Sequence, residues 1–243
     1  MPTPSVLAAL DDISEPEITT TIITTTTKGY TTEPTTEAAV ITTASPELSA
    51  EVRQSLIDSA QSLNSAYPDA LGWLYIPDTV ISYPVMQSRD NDYYLSHAYD
   101  GTYLKAGSVF LDYRCEGRFR NPINIIYGHN MKNGSMFGQL KQFAQQETID
   151  RNPYFWIFTP HAIFQYRIFS SSVVSKSGDP YAIRFREADF AAFISRSQSS
   201  SEINCGDGKV TTADRLVTLS TCTGDDSTRR ILQGVLVQVY APK

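Results

Sequence analysis

The sequence predicts a mainly β fold whose strands close, or nearly close, into a barrel. From residue 71 onwards, many short runs of β-branched and aromatic residues alternate with turn signals such as Pro77-Asp78. Only a few segments repeat their apolar residues at helical spacing. Many short strands with frequent turns between them are typical of a barrel.

The first 45 residues lie outside this pattern. They are rich in threonine, with runs such as Thr24-Thr25-Thr26-Thr27, and also contain Glu, Pro and scattered Ile and Val. Such a segment has too little patterned apolar surface to offset the entropy cost of ordering it. The sequence therefore predicts a disordered Thr-rich linker or stalk over residues 1–45 and one folded domain over residues 46–243.

A helix is predicted at the start of the folded domain. Ser45 suits the N-cap, Pro46 the first helical position and Glu47 the first turn, and Pro68 ends the segment. Apolar residues line one face of this helix: Leu48, Val52, Leu56, Ala60 and Leu63. We expect this face to pack against the remainder of the domain.

Strands and two further helices are predicted in the remainder of the domain. Strand-like runs lie at residues 72–76, 81–86, 108–112, 124–127, 155–158 and 162–169. A helical insert is predicted at 135–145, and another helix at 187–197 carries aromatic residues at helical spacing. Two β-prone runs, 215–219 and 231–240, mark the last two strands.

Composition excludes several classes of protein. The formal net charge of −6 over 243 residues argues against a nucleic-acid binder, whose surface is usually basic. Three cysteines, Cys115, Cys205 and Cys222, are too few and too scattered for a disulfide scaffold or a zinc site. A Cys115–Cys205 bridge is possible, although two ordinary thiols are favoured. We expect no metal, because the acidic pair Asp225-Asp226 is interpreted as a solvated turn, and no cofactor, because the sequence contains no P-loop or dinucleotide fingerprint.

Cys222 is a candidate nucleophile. It lies just after the run 215–219, and a polar turn follows it. A free cysteine is more often a small buried hydrophobe, but a thiol at a strand exit can face a groove. Nearby cations favour the reactive thiolate, and Arg229 supplies one on the neighbouring strand. Arg230 is a competitor for this role, although it would point to the opposite face of that strand.

His129 is a candidate acid and base. It follows the β-like run 124–127 and leads into a polar loop, where a side chain can face a groove. An imidazole pKa near neutrality suits proton exchange with a thiol and a leaving amine. The other two histidines, His97 and His161, are interpreted as structural or simply exposed.

These residues carry a resemblance to a known family. Thr218-Leu219-Ser220-Thr221-Cys222 resembles the TLxTC signature of sortases, the cysteine transpeptidases of Gram-positive cell surfaces. The stretch YGHNMKNGSMFGQL at 127–140 resembles the histidine region of the class B branch. The chain order His, Cys, Arg is also that of sortases, whereas papain-like proteases place Cys before His. The resemblance covers roughly residues 71–240.

The resemblance implies a closed eight-stranded sortase-type β-barrel, with an N-terminal helix and peripheral helices as class B additions. It implies catalysis by His129, Cys222 and Arg229. Arg229 is preferred to Arg230 because its spacing to Gly234 resembles the family's interval between the arginine and a small residue on this strand. The resemblance also implies a set of substrate-binding residues: Ser220, Thr221, Tyr181 and Ile183.

The implied activity is cleavage of an NPxTx- or LPxTG-like sorting motif near the C-terminus of surface proteins. The motif would be cleaved after its Thr, and Cys222 would hold the acyl group as a thioester. An amine of a peptidoglycan cross-bridge or a pilin would then accept the acyl group. No run of about 18 apolar residues and no signal peptide is present. We therefore expect the extracellular part of a Gram-positive surface protein, with membrane contact only through an N-terminal anchor absent from this chain.

Two alternatives to a transpeptidase stay open. A hydrolytic cysteine peptidase would pass the acyl group to water instead of an amine. A surface binding module on a Thr-rich stalk would keep the barrel without turnover, although a purely binding role does not call for His129, Cys222 and Arg229 together.

Overall fold

The computed structural model describes three stretches of the chain, residues 48–177, 179–206 and 208–242. The predicted linker over residues 1–45 lies outside the described residues, and so does the predicted helix start at residues 45–47. A folded domain that extends from residue 46 to residue 243 stays a prediction.

The chain divides into two units, Met1–Ser55 and Leu56–Lys243. In the first unit the structure describes residues 48–55, where a helix begins. The second unit holds every strand of the described chain and the candidate functional site.

Helix α1 (Ala50–Ala66) is preceded by Ser49, whose side chain caps its first turn. The Val52 amide donates to the Ser49 Oγ at 3.3 Å, which satisfies one of the free amides of the first turn. Ser49 therefore supplies the capping oxygen of the described helix, and the predicted cap at Ser45 lies outside the described residues. The buried residues of this helix are Leu56, Ile57 and Ala60.

Eight strands form a closed barrel in the described part of the chain. They are β1 (Ala70–Tyr75), β2 (Ser82–Met86), β3 (Val109–Leu111), β4 (Ile123–Tyr127), β5 (Tyr154–Phe158), β6 (Ile163–Ser175), β7 (Leu216–Cys222) and β8 (Thr228–Tyr240). Their order around the barrel is β1-β2-β3-β4-β7-β8-β6-β5. The β2–β3 and β4–β7 pairs are parallel, and the others are antiparallel. The predicted closed eight-stranded barrel is confirmed.

Helical segments lie in the connections between strands. The insert predicted at 135–145 is a 3₁₀ helix, Gly138–Ala144, followed by α2 (Gln146–Arg151). At seven residues this 3₁₀ helix is longer than most, since 3₁₀ runs beyond three or four residues are uncommon. Helix α3 (Glu187–Ser199) matches the predicted peripheral helix. Within the described residues, no helix has the length and apolar character needed to cross a membrane.

One apolar cluster takes residues from every strand of the barrel and from α3. The largest of its fully buried side chains are Tyr166, Phe119, Phe137, Phe143 and Phe155. Gly234 on β8 allows one close approach, because a Cβ there would lie 2.5 Å from the Phe155 ring. Large aromatic side chains therefore pack closely in the barrel, and a larger residue in their place would not fit without a shift of its neighbours.

Strand β7 lies between β4 and β8, and this arrangement determines which residues meet at the candidate site. Tyr127 at the end of β4 pairs with Ser220 in the parallel β4–β7 ladder. Cys222 at the end of β7 pairs with Arg229 at the start of β8. The ends of β4 and β7 and the start of β8 therefore meet at one edge of the barrel.

Candidate active site

Cys222 is the last residue of β7 and is exposed, whereas the six residues before it in the strand are buried. The turn that follows is closed by a 2.6 Å hydrogen bond between the hydroxyls of Thr223 and Thr228. The thiol therefore stands at a strand exit and not in the core, which is the placement a nucleophile requires.

The other two cysteines differ from Cys222. Cys115 is buried and Cys205 is half-buried, and both are free thiols. Burial raises the pKa of each thiol to about 11. Both groups therefore stay protonated near neutral pH and are poor nucleophiles. Among the described residues, no three His, Cys, Asp or Glu side chains come together in a group that could hold a metal ion.

Arg229 lies directly opposite Cys222 across the β7–β8 ladder. Opposite residues on antiparallel strands share a face of the sheet, with Cα atoms about 4.5–5.5 Å apart. The Arg229 Nη1 donates to the carbonyl oxygens of Thr228 at 2.7 Å and Asp226 at 3.2 Å. A guanidinium has five N–H donors, so others remain to meet a substrate oxygen next to the thiol.

Arg230, the competing arginine, has a different environment. It lies opposite Thr221, and its Nη1 forms an ion pair with Glu202 Oε2 at 2.9 Å. Only 14 % of its side chain is exposed. It does line a cavity of about 250 Å³ beside Cys222, from which Arg229 is absent. Because a carboxylate already neutralises its charge, Arg230 is less suited than Arg229 to bind an oxyanion.

His129 follows β4 and lies beside the end of β7. The Gly128 amide donates to the Ser220 carbonyl at 3.2 Å, so the β4–β7 ladder continues one residue beyond Tyr127. Neighbouring strands lie about 4.8 Å apart. The Gly128–Ser220 bond therefore holds Gly128 beside β7, and His129 is the next residue along the chain.

The backbone carbonyl of Leu95 orients the imidazole of His129. The distance from His129 Nε2 to the Leu95 oxygen is 2.8 Å. A carbonyl oxygen can only accept, so Nε2 carries a hydrogen and Nδ1 is left to exchange a proton. The sequence does not reveal this contact, because the acceptor is a backbone oxygen 34 residues away from the histidine.

The loop that carries His129 is closed by backbone contacts. The Phe137 amide donates to the His129 carbonyl at 2.9 Å, and an isolated β-bridge pairs Asn130 with Met136. Gly128 has no side chain to obstruct this closure, since a Cβ there would lie 2.8 Å from the Phe137 ring. The buried Phe137 can thus pack directly against the backbone that precedes His129.

Tyr181 and Ser220, both predicted to bind substrate, are brought together. The Tyr181 hydroxyl and the Ser220 Oγ lie 3.1 Å apart. The Tyr181 ring stacks on Tyr127, with centroids 6.3 Å apart. Burial raises the pKa of Tyr181, so its hydroxyl stays neutral and able to donate. This half-buried ring stands over the ends of β4 and β7.

The other two predicted substrate-binding residues are placed differently. Thr221 is buried, and its Oγ1 has no hydrogen-bond partner in the described chain. It lines the same 250 Å³ cavity as Cys222. Ile183 is only 7 % exposed and belongs to the apolar core, so it presents little surface to a peptide.

A charged cluster around one buried carboxylate fixes the segment around Tyr181. The Asp112 carboxylate is fully buried and accepts hydrogen bonds from Arg114 Nε at 2.9 Å, Arg114 Nη2 at 2.7 Å and the Tyr127 hydroxyl at 2.9 Å. Arg114 Nη2 also donates to the Tyr181 carbonyl at 3.1 Å. We call Asp112, Arg114 and Tyr127 the Asp112 cluster.

The Asp112 cluster keeps its carboxylate charged. Burial alone would raise the pKa of Asp112, but the hydrogen bonds from Arg114 and Tyr127 hold that pKa below its usual value. Sequence reasoning missed this cluster. The available signal was an Asp and an Arg two residues apart at a strand end, and such pairs are usually solvated.

Comparisons with known proteins identify relatives of this chain. A family model described as a Sortase domain matches residues 74–237. Sortase B of Listeria monocytogenes is 38% identical over 200 residues, which cover 80% of this chain and 78% of that protein. A Staphylococcus aureus sortase B–substrate complex matches with a TM-score of 0.70 and 26% identity over 75% of this chain and 86% of that one. A sortase B complexed with triglycine matches with a TM-score of 0.70 and 25% identity over 76% of this chain and 92% of that one.

Proposed function

Because this chain belongs to the sortase family of cysteine transpeptidases, with class B members among its relatives, we propose that Cys222, His129 and Arg229 form its catalytic site. Sortases act at the surface of Gram-positive cells. One observation carries the proposal: Cys222 and Arg229 are opposite each other across β7–β8, beside the strand end that His129 follows.

In the first step, the Cys222 thiolate attacks the carbonyl carbon of the Thr in a sorting motif. The carbonyl becomes an oxyanion, and Arg229 donates hydrogen bonds to it. His129, protonated on both ring nitrogens, gives the Nδ1 proton to the departing amine as the C–N bond breaks. A thioester between Cys222 and the Thr carbonyl remains.

In the second step, an amine attacks the thioester and Cys222 leaves as the thiolate. His129 takes the proton that the amine loses, which restores the starting state. The acceptor is an amine of a peptidoglycan cross-bridge or a pilin. The complex of a related sortase B with triglycine supports a glycine peptide as a model acceptor.

The donor is a peptide with an NPxTx- or LPxTG-like sorting motif near the C-terminus of a surface protein. The sortase B–substrate complex of the S. aureus relative supports a bound substrate. Tyr181 and Ser220 would line the groove through their paired hydroxyls. Thr221 would contribute beside the thiol, and Ile183 would support the Tyr181 segment from the core. Residues 1–45 would serve as the tether to the membrane.

Product analysis tests this function. The chain is incubated with NPxTx and LPxTG peptides, with and without triglycine, and the products are identified by mass spectrometry. We expect a peptide–triglycine conjugate whose formation follows ping-pong kinetics. A free carboxylate alone, at saturating triglycine, would establish the hydrolytic peptidase. Peptide binding without any cleavage would establish the binding module.

A further inference from the structure

A second cavity lies at the far end of β7 from the candidate nucleophile. Its volume is about 770 Å³, within the range of about 300–1,000 Å³ that is common for small-molecule sites. Arg215, which lines it, immediately precedes β7, whereas Cys222 ends that strand. Seven residues of extended chain span about 23 Å. The cavity is therefore separate from the site described above.

Positive charge dominates the polar lining of this cavity. Arg118, Arg120 and Arg215 line it together with His161, and no Asp or Glu does so. Within the described stretches, none of the three arginines forms an ion pair with a carboxylate. The whole chain has a formal net charge of −6, so the positive charge of this cavity is opposite in sign to the net charge of the protein. Such a cluster attracts an anion.

The rest of the lining is largely apolar. The Arg215 guanidinium lies over the Phe164 ring, with its Cζ 5.9 Å from the centroid. Stacking on a ring fixes the plane of a guanidinium and leaves its N–H edge available. Leu71 and Ala162 add apolar surface, and Val239 remains 43% exposed. The cavity thus combines a cationic part with an apolar wall.

We propose that this cavity binds an anionic phosphate ester that carries an apolar group. The fork of a guanidinium matches two phosphate oxygens at once, and a phosphate ester offers three arginines more acceptor oxygens than a lone carboxylate does. Phe164, Leu71 and Val239 would cover the apolar group. Binding here is independent of the proposed transpeptidation, because none of His129, Cys222 and Arg229 lines the cavity.

Calorimetric titration of the full chain tests this site. The probe is dihexanoyl phosphatidylglycerol below its micelle concentration, and the control is dihexanoyl phosphatidylcholine, whose choline neutralises the phosphate. We expect saturable one-to-one binding of phosphatidylglycerol and at least tenfold weaker binding of phosphatidylcholine. Equal affinity for the two lipids, or no saturable binding of phosphatidylglycerol, would overturn the proposal.

Two double variants locate the binding. Arg118→Gln/Arg120→Gln removes two positive charges from the cavity, and we expect it to weaken binding at least tenfold. Arg151→Gln/Arg186→Gln removes the same charge from exposed positions that do not line the cavity, and we expect less than a twofold effect. Thermal unfolding of both variants checks that they are folded. Equal weakening by the two variants would mean non-specific attraction and would contradict a defined site.

Vesicles distinguish the two sources of such a phosphate. Co-sedimentation with phosphatidylglycerol vesicles, lost in Arg118→Gln/Arg120→Gln and retained in the control variant, would identify a lipid headgroup in a bilayer. Binding of soluble phosphatidylglycerol without vesicle binding would identify a soluble phosphate ester. Both results support the proposed chemistry. Turnover of a sorting peptide is expected to be unchanged in both variants, which keeps this test separate from that of the catalytic residues.

Discussion

Arg114 donates a hydrogen bond through Nη2 to the backbone carbonyl of Tyr181 at 3.1 Å, although the two residues are 67 positions apart in the chain. The same nitrogen lies 2.7 Å from Asp112 Oδ2. Asp112 also accepts from the Tyr127 hydroxyl, and the Tyr181 hydroxyl pairs with Ser220. The buried carboxylate thus ties the segment that carries Tyr181 to β4, and the Tyr181 hydroxyl ties it to β7.

Replacing Arg114 should weaken peptide binding more than it slows chemistry. Arg114→Lys keeps the charge but loses the planar fork that reaches Asp112 and Tyr181 together. The loss of a hydrogen bond to a charged group costs about 1.5–3 kcal/mol, so we expect KM for the peptide to rise about tenfold with a smaller change in kcat. Steady-state kinetics would measure both constants. A fall in kcat at constant KM would show that Arg114 acts on the reaction itself.

Asp112 should cause the free energy of unfolding to fall at acid pH. Its pKa is lowered in the folded state, so its contribution is fully present above the unfolded value of about 3.9 and is lost as the pH falls through the folded pKa. At pH 7 we expect Asp112→Asn to lower the free energy of unfolding by about 3 kcal/mol, because Arg114 and Tyr127 lose a buried charged partner.

Urea unfolding of wild type and Asp112→Asn at a series of pH values would measure this difference. It should narrow steadily below about pH 4, where the wild-type carboxylate becomes protonated. A difference that stays constant down to the acid limit would mean that the charge of Asp112 contributes nothing to stability.

Arg229 and Arg230 should be separable by a matched pair of variants. Arg229→Gln removes the guanidinium opposite Cys222, and we expect kcat/KM to fall about 10²–10³-fold with little change in Tm. Arg230→Gln leaves Glu202 without its partner, so we expect a lower Tm and near-normal kcat/KM at a temperature where the variant is folded. The reverse pattern would assign the oxyanion contact to Arg230.

Thiol labelling should distinguish the three cysteines. We expect iodoacetamide at pH 7.5 to modify Cys222 in the native protein and to leave Cys115 and Cys205 unmodified. The first thiol is exposed, whereas burial raises the pKa of the other two to about 11. Peptide mapping would locate the label, with denatured protein as the control in which all three react. Native labelling of Cys115 or Cys205 ahead of Cys222 would contradict this account.

Much of the fold could be predicted from the local pattern, but strand ends could not. Strand β6 was predicted to end at residue 169, yet it continues to Ser175. The residues that extend it include Ser170, Ser171 and Ser172, which are polar but almost fully buried. The Ser170 hydroxyl, for example, donates to the Ser197 carbonyl, a distant partner that a periodicity argument does not include. The end of the strand could not be predicted from the sequence pattern, because these buried residues are polar.

The candidate site shows a similar division. Cys222, His129 and Arg229 could be proposed from a motif, because reactive side chains belong to few residue types. The contacts that orient them could not, because the Leu95 carbonyl that holds His129 is a group every residue possesses. The parallel β4–β7 pairing joins segments more than ninety residues apart and is set by barrel closure, not by local sequence.

Intact-protein mass spectrometry on the acyl-enzyme tests the central claim most directly. The chain is mixed with an NPxTx or LPxTG peptide without acceptor and quenched within seconds, and the adduct is mapped. We predict a mass gain equal to the peptide up to its Thr, located on Cys222, lost on addition of triglycine and absent in Cys222→Ala. An adduct on Cys115 or Cys205, or turnover that survives in Cys222→Ala, would contradict the assignment of Cys222 as the nucleophile.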